Sequence, residues 1–279
     1  MLDFDKRTIL VTGGGAGIGR ATVEKFARLK AKVRVIESDA ARAADVEAWL
    51  VSQGDGHKVF RGDVTRADDV RRVFAELAAT DGALDVLVNN VGDSLQLAKP
   101  FEDYSDEDID RLYGANLRHV FEVTRSALPL LKRHRSPTAS IVNLSTIEGF
   151  RGVPNLAVYS TFKTALAGFT RSLAVELGRH AIRVNQVAPE ATETAQLPLS
   201  QFIKAEYAER VSDWVPLGRY GKAEEIADAV IYLASDMASW VSGTTLHVDG
   251  GALAASGWYR TPQGGWTIAP VIETNGFNF

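Results

Sequence analysis

Short runs of apolar, often β-branched residues alternate with longer amphipathic stretches along most of the chain. The first run covers Thr8 to Val11, and similar runs cover 33–36, 58–61, 85–88, 140–144, 182–187 and 245–248. Runs of about four to eight such residues, bounded by turn residues, are typical of strands. Because apolar residues fall on both faces of the runs rather than alternating, the strands are predicted to be covered by helices on both sides. The pattern therefore predicts seven strands in a parallel sheet.

Helical patterns fill the intervals between these strands. They extend over about 20–30, 40–51, 67–79, 105–133, 158–179 and 224–235. Strands that alternate with helices indicate βαβ units, in which helices cover the faces of a parallel sheet. No linker-like stretch interrupts the pattern before residue 250, so we predict one domain over 1–251.

Two segments depart from this alternation. Residues 191–220 carry two prolines among apolar side chains, and we predict that they form a lid over the substrate pocket; its apolar residues are Leu197, Leu199, Phe202, Ile203 and Trp214. Residues 252–279 are rich in Gly, Thr and aromatic residues and have no clear period. Five aromatics are unusual in a solvated tail, so we predict an ordered arm over the core or a neighbouring subunit. A disordered extension is the alternative.

A glycine-rich turn follows the first predicted strand and opens the first helix. Its spacing is Gly13-x-x-x-Gly17-x-Gly19, and it is the right context for a phosphate loop. Glycines let the backbone approach a ligand closely, and a helix N-terminus offers unpaired N–H groups to a pyrophosphate. The predicted cofactor contacts in this loop are Gly13, Gly15, Gly17, Ile18 and Gly19.

Glu37 ends the second predicted strand, where a carboxylate can accept hydrogen bonds from the adenosine ribose. A 2′-phosphate at that position would meet like charge, so NAD is predicted in preference to NADP. The alternative is an ordinary exposed acid at a strand end. Nearby Arg34 and Arg42 are cations that could favour the phosphate.

Tyr159 and Lys163 stand four residues apart on a predicted long helix. Residues at this spacing share a helix face. A neighbouring ammonium lowers the cost of ionising a phenol, which could then remove a proton from an alcohol. By itself such a pair is more often an ordinary pair on a helix surface.

Composition narrows the function classes further. The chain has 279 residues, a formal net charge of −4 and no cysteine, which excludes thiolate chemistry and disulfides. Its five histidines are scattered, so no metal is expected. The charge gives no reason to expect nucleic acid or an anionic membrane as partner. No apolar stretch is long enough for a membrane span and no signal-peptide core is present, so we expect a cytoplasmic protein.

Several motifs together resemble the short-chain dehydrogenase/reductase family. In chain order these are Thr12-Gly13-x-x-x-Gly17-x-Gly19, Asp63-Val64, Asn89-Asn90-Val91-Gly92, Asn116, Ser145-Thr146, Tyr159-x-x-x-Lys163, Pro189 with Thr194, and Val248-Asp249-Gly250-Gly251. The resemblance covers about residues 5–251 and keeps the family's order. It implies a doubly wound, Rossmann-type sheet, a nicotinamide cofactor, hydride exchange between a secondary alcohol and a ketone, and a homotetramer.

The resemblance also implies roles for individual residues. Tyr159 would be the general acid/base, and Lys163 would hold the nicotinamide ribose and lower the Tyr159 pKa. Asn116 would sit at a helix irregularity and hold a water that links Lys163 to solvent. Further cofactor contacts would be Asp63 and Val64 at the adenine, Asn90 and Gly92 near the ribose, and Pro189, Thr192 and Thr194 near the carboxamide and pyrophosphate.

Three positions depart from the family pattern, of which Val91, in place of the alanine of Asn-Asn-Ala-Gly, is a tolerable enlargement. The family's serine, 13 residues before the tyrosine, is replaced by Thr146, with Ser145 one residue earlier. Threonine keeps the hydroxyl that polarises the substrate oxygen, so we assign the role to Thr146 with Ser145 as the fallback. The glycine that usually follows the proline is Glu190, which puts the local backbone and charge in doubt.

The substrate is predicted from the lid, whose apolar side chains suggest an apolar, cyclic alcohol. Residues 89–92 with 99–102 are similar to dihydrodiol dehydrogenases, while steroid or terpene alcohols fit equally well. Lys99 could meet a substrate carboxylate, although a solvated loop lysine is the more frequent case. Two rival hypotheses are an NADPH-dependent 3-oxoacyl-type ketone reductase and a non-catalytic nucleotide sensor. The complete catalytic set argues against the sensor.

Overall fold

The computed structural model describes residues 3–195, 197–199, 210–257, 259–260 and 265–267. One seven-stranded parallel sheet forms its centre, in the order β3-β2-β1-β4-β5-β6-β9. The strands are β1 (Thr8–Thr12), β2 (Lys32–Glu37), β3 (Lys58–Arg61), β4 (Val86–Asn89), β5 (Ala139–Leu144), β6 (Ile182–Pro189) and β9 (Thr245–Val248). The prediction of seven parallel strands is confirmed.

Helices cover both faces of the sheet. They are α1 (Gly17–Arg28), α2 (Ala40–Gln53), α3 (Ala67–Thr80), α4 (Asp106–Tyr113), α5 (His119–Leu131), α6 (Ala157–Leu177) and α7 (Ala223–Ala234). Apolar residues of α1, α2 and α7 pack on one face, and those of α3, α5 and α6 pack on the other. This two-sided burial explains why the strands are apolar throughout. In the described ranges, no helix is long and apolar enough to cross a membrane.

The predicted helix over 105–133 is continuous but not uniform. A π-helical segment, Gly114–Arg118, separates α4 from α5. The segment contains Asn116, whose side-chain amide donates to the backbone oxygen of Leu112 at 3.0 Å. Single π turns inside α-helices are frequent at functional sites. The helix irregularity expected at Asn116 is thus present.

The sheet reverses its winding direction between β1 and β4, which are hydrogen-bonded neighbours. Because the chain leaves these two strands toward opposite sides, a crevice opens at their carboxyl ends, where ligands bind in doubly wound folds. The glycine loop follows β1, and Asn90 to Gly92 follow β4. Both predicted cofactor segments therefore meet at this crevice.

The lid and the arm are described only in part. Two short strands, β7 (Thr192–Glu193) and β8 (Gly221–Lys222), pair in parallel and join the two ends of the lid. In the arm, β10 (Tyr259–Arg260) and β11 (Trp266–Thr267) form an antiparallel pair. Ala252 is buried at the start of the arm. Phe202, Ile203, Trp258, Phe277 and Phe279 lie outside the described residues, so the arm's placement stays a prediction.

Candidate active site

The glycine loop is closed against β1 and the segment after β4. The Asn90 amide donates to the backbone oxygens of Thr12 at 3.0 Å and Gly13 at 3.1 Å. A Cβ atom on Gly19 would lie 2.1 Å from the Gly13 oxygen, a distance that no side chain can take. Gly13 itself has a φ of 64°, which favours glycine. Sequence and packing therefore both require glycine here.

The loop fits a dinucleotide pyrophosphate. The N-cap of α1 is Ala16, and no side chain among the described residues caps this helix end. The first-turn N–H groups and the positive end of the helix dipole are therefore available to an anion. Thr194 lies against the loop, with its Cβ 3.3 Å from where a Cβ on Gly17 would be. Ile18 anchors the same turn in the core.

Glu37 is part of the loop's support and not an ordinary exposed acid. Only 5% of the residue is exposed. Its carboxylate accepts hydrogen bonds from the N–H groups of Gly15 at 2.9 Å and Asp39 at 3.0 Å. A Cβ on Gly15 would lie 2.6 Å from this carboxylate. The acid therefore stands directly beside the phosphate loop, where its charge acts on whatever binds there.

The two arginines near Glu37 differ in their surroundings. Arg34 forms a bidentate ion pair with Asp81 and donates to the backbone oxygen of Gly56. Arg34 therefore binds at the end of α3 and not in the cofactor crevice. Arg42 stays beside the loop, with its Cβ 2.7 Å from the position of a Cβ on Gly15.

Asp63 and Val64 follow β3 at the same edge of the sheet. Asp63 accepts hydrogen bonds from the backbone N–H of Thr65 at 2.9 Å and from its hydroxyl at 2.7 Å. Val64 is buried in the core. These contacts fix the backbone of the turn, while adenine contacts stay a prediction.

Tyr159 and Lys163 share one face of α6, as their spacing predicts. The Lys163 Nζ lies 5.7 Å from the centre of the Tyr159 ring and donates to the Leu144 backbone oxygen at 3.4 Å. A Cβ on Gly92 would lie 2.4 Å from this ammonium. Gly92 thus leaves the room that Lys163 needs under the loop after β4.

Asn116 ties the π segment to that loop. Its amide donates to the Asp93 backbone oxygen at 2.7 Å, and its Oδ1 accepts from the Asp93 N–H at 3.1 Å. Asn116 is fully buried. It therefore holds the loop that borders Lys163, and its predicted role in holding a water remains a prediction.

The pKa values of Tyr159 and Lys163 differ from the expectation. Burial lowers the pKa of Lys163 to about 8, against a smaller opposing effect of Asp93. The pKa of Tyr159 lies above its usual value because of burial and the carboxylates of Glu148 and Asp93. In the cofactor-free protein the Tyr159 pKa is therefore shifted in the direction opposite to the one predicted, because of burial and the two acids. A positive nicotinamide ring nearby would act in the opposite direction.

The two candidate hydroxyls face different surroundings. Ser145 is buried and donates to the Lys163 backbone oxygen at 3.2 Å. Thr146 is half-buried, donates to the Pro189 oxygen at 3.3 Å and accepts from the Glu148 N–H at 3.3 Å. Both Thr146 contacts are long, and its hydroxyl is the more accessible one. Pro189 is the last residue of β6, and Thr192 two residues beyond Glu190 donates to the Glu190 oxygen at 2.8 Å.

Sequence reasoning missed an ionic cluster beside Thr146. Arg151 donates to Glu148 at 2.6 and 3.3 Å and to Glu190 at 2.9 Å. The Glu190 carboxylate also accepts from the Ala191 N–H at 2.9 Å, and burial raises its pKa. The departure from glycine at 190 was the one signal in the sequence that could have pointed to this cluster.

Lys99 does not stand free for a substrate carboxylate. Its ammonium lies 2.7 Å from the Asp108 carboxylate, and this contact lowers the pKa of Asp108 to about 2. Lys99 therefore braces the start of α4. In the described part of the chain, no group of three or more His, Asp or Glu side chains is arranged to hold a metal ion.

Comparisons with known proteins agree with this geometry. Residues 13–252 match the family model described as enoyl-(acyl carrier protein) reductase. The chain is 34% identical to the 2,5-dichloro-2,5-cyclohexadiene-1,4-diol dehydrogenase of Sphingobium indicum, over 91% of this chain and all of the relative. It is 35% identical to the 3-oxoacyl-(acyl-carrier-protein) reductase FabG of Thermotoga maritima, over 89% and 98%. The crystal structure of the Cj0485 dehydrogenase matches with a TM-score of 0.82 and 26% identity, over 90% and 96%.

The chain therefore belongs to the short-chain dehydrogenase/reductase family. Within that family it is an oxidoreductase whose relatives act on alcohols and ketones and which uses a nicotinamide nucleotide. The relatives include both a diol dehydrogenase and an oxoacyl reductase at nearly equal identity. Overall sequence identity thus does not distinguish between these two substrate classes. The residues of the site have to distinguish them.

Proposed function

We propose that this protein is an NAD-dependent dehydrogenase that interconverts a cyclic secondary alcohol and its ketone. The observation that carries the proposal is that Tyr159 and Lys163 share one face of α6, with the Lys163 ammonium donating to Leu144 at the end of β5, two residues before Thr146. The glycine loop that fits a dinucleotide lies at the same carboxyl edge of the sheet. A proton acceptor, a positive charge and an oxygen-orienting donor are the parts that alcohol oxidation needs.

The residues have separate tasks in this proposal. Thr146 turns its O–H from the Pro189 oxygen to the substrate oxygen, and Tyr159, ionised before the step, takes the substrate's hydroxyl proton and becomes a neutral phenol. Lys163 holds a positive charge beside the Tyr159 phenolate before that transfer, and its lowered pKa of about 8 lets it pass a proton on toward solvent near neutral pH. A nicotinamide dinucleotide, when bound, supplies the hydride acceptor. Asn116 and Gly92 keep the loop over Lys163 in place.

Glu37 supports NAD over NADP. Its carboxylate accepts hydrogen bonds from the N–H of Gly15 in the loop and from the N–H of Asp39, so a 2′-phosphate beside it would meet a fixed negative charge. Arg34 is paired with Asp81 and offers that phosphate little compensation. The measurement is kcat/KM with NAD and with NADP for the wild type and for Glu37→Gln, which keeps the size and one acceptor oxygen.

The wild type should prefer NAD by at least about tenfold, and Glu37→Gln should narrow the preference by a similar factor. Asp45→Asn is the matched control, because it removes an exposed acid of α2 that pairs with Arg20 instead. A wild-type preference for NADP would support the rival 3-oxoacyl-type reductase and overturn this part of the proposal.

The family resemblance also leads us to propose a homotetramer. Trp240 is 99% exposed and Met237 67% exposed just before the edge strand β9. Large exposed apolar side chains beside a sheet edge favour a subunit contact there. Light scattering coupled to gel filtration should give four chains for the wild type and fewer for Trp240→Glu. A monomeric wild type would contradict the proposal.

A further inference from the structure

The ionic cluster of Glu148, Arg151 and Glu190 has no part in the chemistry described so far. Side-chain exposure is 21%, 27% and 10% for the three residues, so none is freely solvated. Partly buried charges of this kind are costly to desolvate, so the ion pairs are weak evidence of a stabilising role. The position of the cluster beside Thr146 points to a role toward the substrate.

The cluster lies directly beside the proposed reaction centre. Glu148 is the residue whose N–H donates to the Thr146 hydroxyl, and Glu190 follows Pro189, whose oxygen accepts from that hydroxyl. The Glu148 charge also acts on the Tyr159 phenol. A substrate oxygen held between Thr146 and Tyr159 would thus bring the neighbouring part of the substrate near these two carboxylates.

The charges of this region do not cancel. Two carboxylates share one guanidinium in the cluster, which leaves an excess negative charge. Glu190 also lines a cavity of about 100 Å³ together with Arg219, Glu225 and Asp249. Arg219 is already bound by Glu225, at 2.6 and 2.9 Å. An anionic substrate group would therefore be repelled here rather than bound.

The Glu190 carboxylate has acceptor capacity left. One oxygen accepts from Arg151 and the other from the Ala191 N–H, whereas each carboxylate oxygen can accept about two hydrogen bonds. A purely apolar substrate would strip water from these oxygens without replacing its hydrogen bonds, which is unfavourable. A substrate hydroxyl would replace them.

Building on the proposed function, we propose that the Glu148–Arg151–Glu190 cluster selects an uncharged diol or polyol. The second hydroxyl of the substrate donates to the cluster carboxylates while the first one reacts at Tyr159. This narrows the substrate class predicted from the apolar lid: the ring is apolar, and the carbon next to the reacting one carries a hydroxyl. Substrates with an anionic group at that carbon are excluded.

The test compares three alcohols that differ only at that neighbouring carbon: cyclohexanol, cis-1,2-cyclohexanediol and 2-hydroxycyclohexanecarboxylate. Wild-type enzyme with NAD should show a kcat/KM for the diol about 10- to 100-fold above that for cyclohexanol, the range expected of a hydrogen bond to a charged acceptor. The carboxylate should be the poorest of the three. Glu190→Gln should lower the diol preference at least about fivefold and relax the discrimination against the carboxylate.

Glu148→Gln provides a second, independent variant if Glu190→Gln does not fold, as judged by its melting temperature. Glu76→Gln is the matched control, since it removes an ion-paired glutamate of α3 that is remote from the site. Equal kcat/KM for cyclohexanol and the diol, or a diol preference unchanged in the cluster variants, overturns this inference and leaves the dehydrogenase proposal standing. A wild type that binds cofactor but oxidises none of the three contradicts both.

Discussion

Replacing Lys163 by methionine should make the protein more stable at neutral pH while it abolishes turnover. Lys163 is 4% exposed, and its ammonium makes one long hydrogen bond, of 3.4 Å, to the Leu144 oxygen. Burial lowers its pKa from 10.5 to about 8, with Asp93 opposing the change. Keeping this charge buried therefore destabilises the folded protein, as is common for active-site residues.

The size of the effect follows from the two pKa values. At about 1.4 kcal/mol for each pH unit between them, the buried charge destabilises the fold by about 3 kcal/mol. Losing the hydrogen bond to Leu144 offsets about 1 kcal/mol. Lys163→Met should therefore raise the free energy of unfolding by about 2 kcal/mol at pH below about 8.

The sign of the pH dependence is fixed by proton binding. Below about pH 8 both folded and unfolded states hold the Lys163 proton, so the destabilisation is complete. Between about 8 and 10.5 only the unfolded state holds it, so wild-type stability rises with pH relative to the variant. The advantage of Lys163→Met should thus shrink above about pH 8 and vanish near about pH 9.5, where the wild type has regained about 2 kcal/mol.

Urea unfolding of the cofactor-free proteins, followed by circular dichroism at about pH 7 and about pH 9.5, measures this difference. Lys132→Met is the control, because Lys132 is an exposed lysine at the end of α5. A Lys163→Met variant that is less stable than the wild type at pH 7, or a difference that does not shrink with rising pH, would refute the reasoning.

Three further predictions concern other parts of the site. Thr146→Ala should lower kcat/KM at least about 100-fold, while Thr146→Ser should keep most of the wild-type kcat/KM. Ser145→Ala should mainly lower the melting temperature. Steady-state kinetics of the three variants shows which hydroxyl faces the substrate. Gly19→Ala should weaken cofactor binding at least about tenfold, because its Cβ would lie 2.1 Å from a backbone oxygen of the loop; a fluorescence titration with reduced cofactor measures this. Arg34→Met should cost about 3 kcal/mol of stability by leaving Asp81 buried and unpaired, without altering the NAD-to-NADP ratio; a changed ratio would place Arg34 in the cofactor site after all.

The centre of the sheet could be predicted from the sequence because β1, β4, β5 and β6 are buried on both faces. That burial makes a strand such as β1 a continuous apolar run bounded by glycine, which pattern reasoning detects. The two-residue strands β7 and β8 are too short to carry a pattern, and they were not predicted. The π segment was also invisible to periodicity, and only the resemblance at Asn116 pointed to it.

The electrostatics of the site could not be predicted, because they depend on burial and on residues far apart in the chain. The neighbourhood of Tyr159 predicted a lowered pKa, since Lys163 is the charge nearest in sequence. Folding buries the phenol and brings Glu148 close, which reverses the direction. Arg151 likewise forms an ion pair with Glu190, which lies 39 positions away in the sequence, and no local sequence pattern predicts such a pair.

The most direct test of the proposed function is the rate of NAD reduction by cis-1,2-cyclohexanediol with the wild type and with Tyr159→Phe. Tyr113→Phe is the control, because Tyr113 at the end of α4 packs on Phe162 with ring centres 5.6 Å apart. Turnover should persist in the wild type and the control and fall at least about 1,000-fold in Tyr159→Phe, with NAD affinity retained. Turnover in Tyr159→Phe close to that of the wild type would contradict the assignment of Tyr159 as the acid/base.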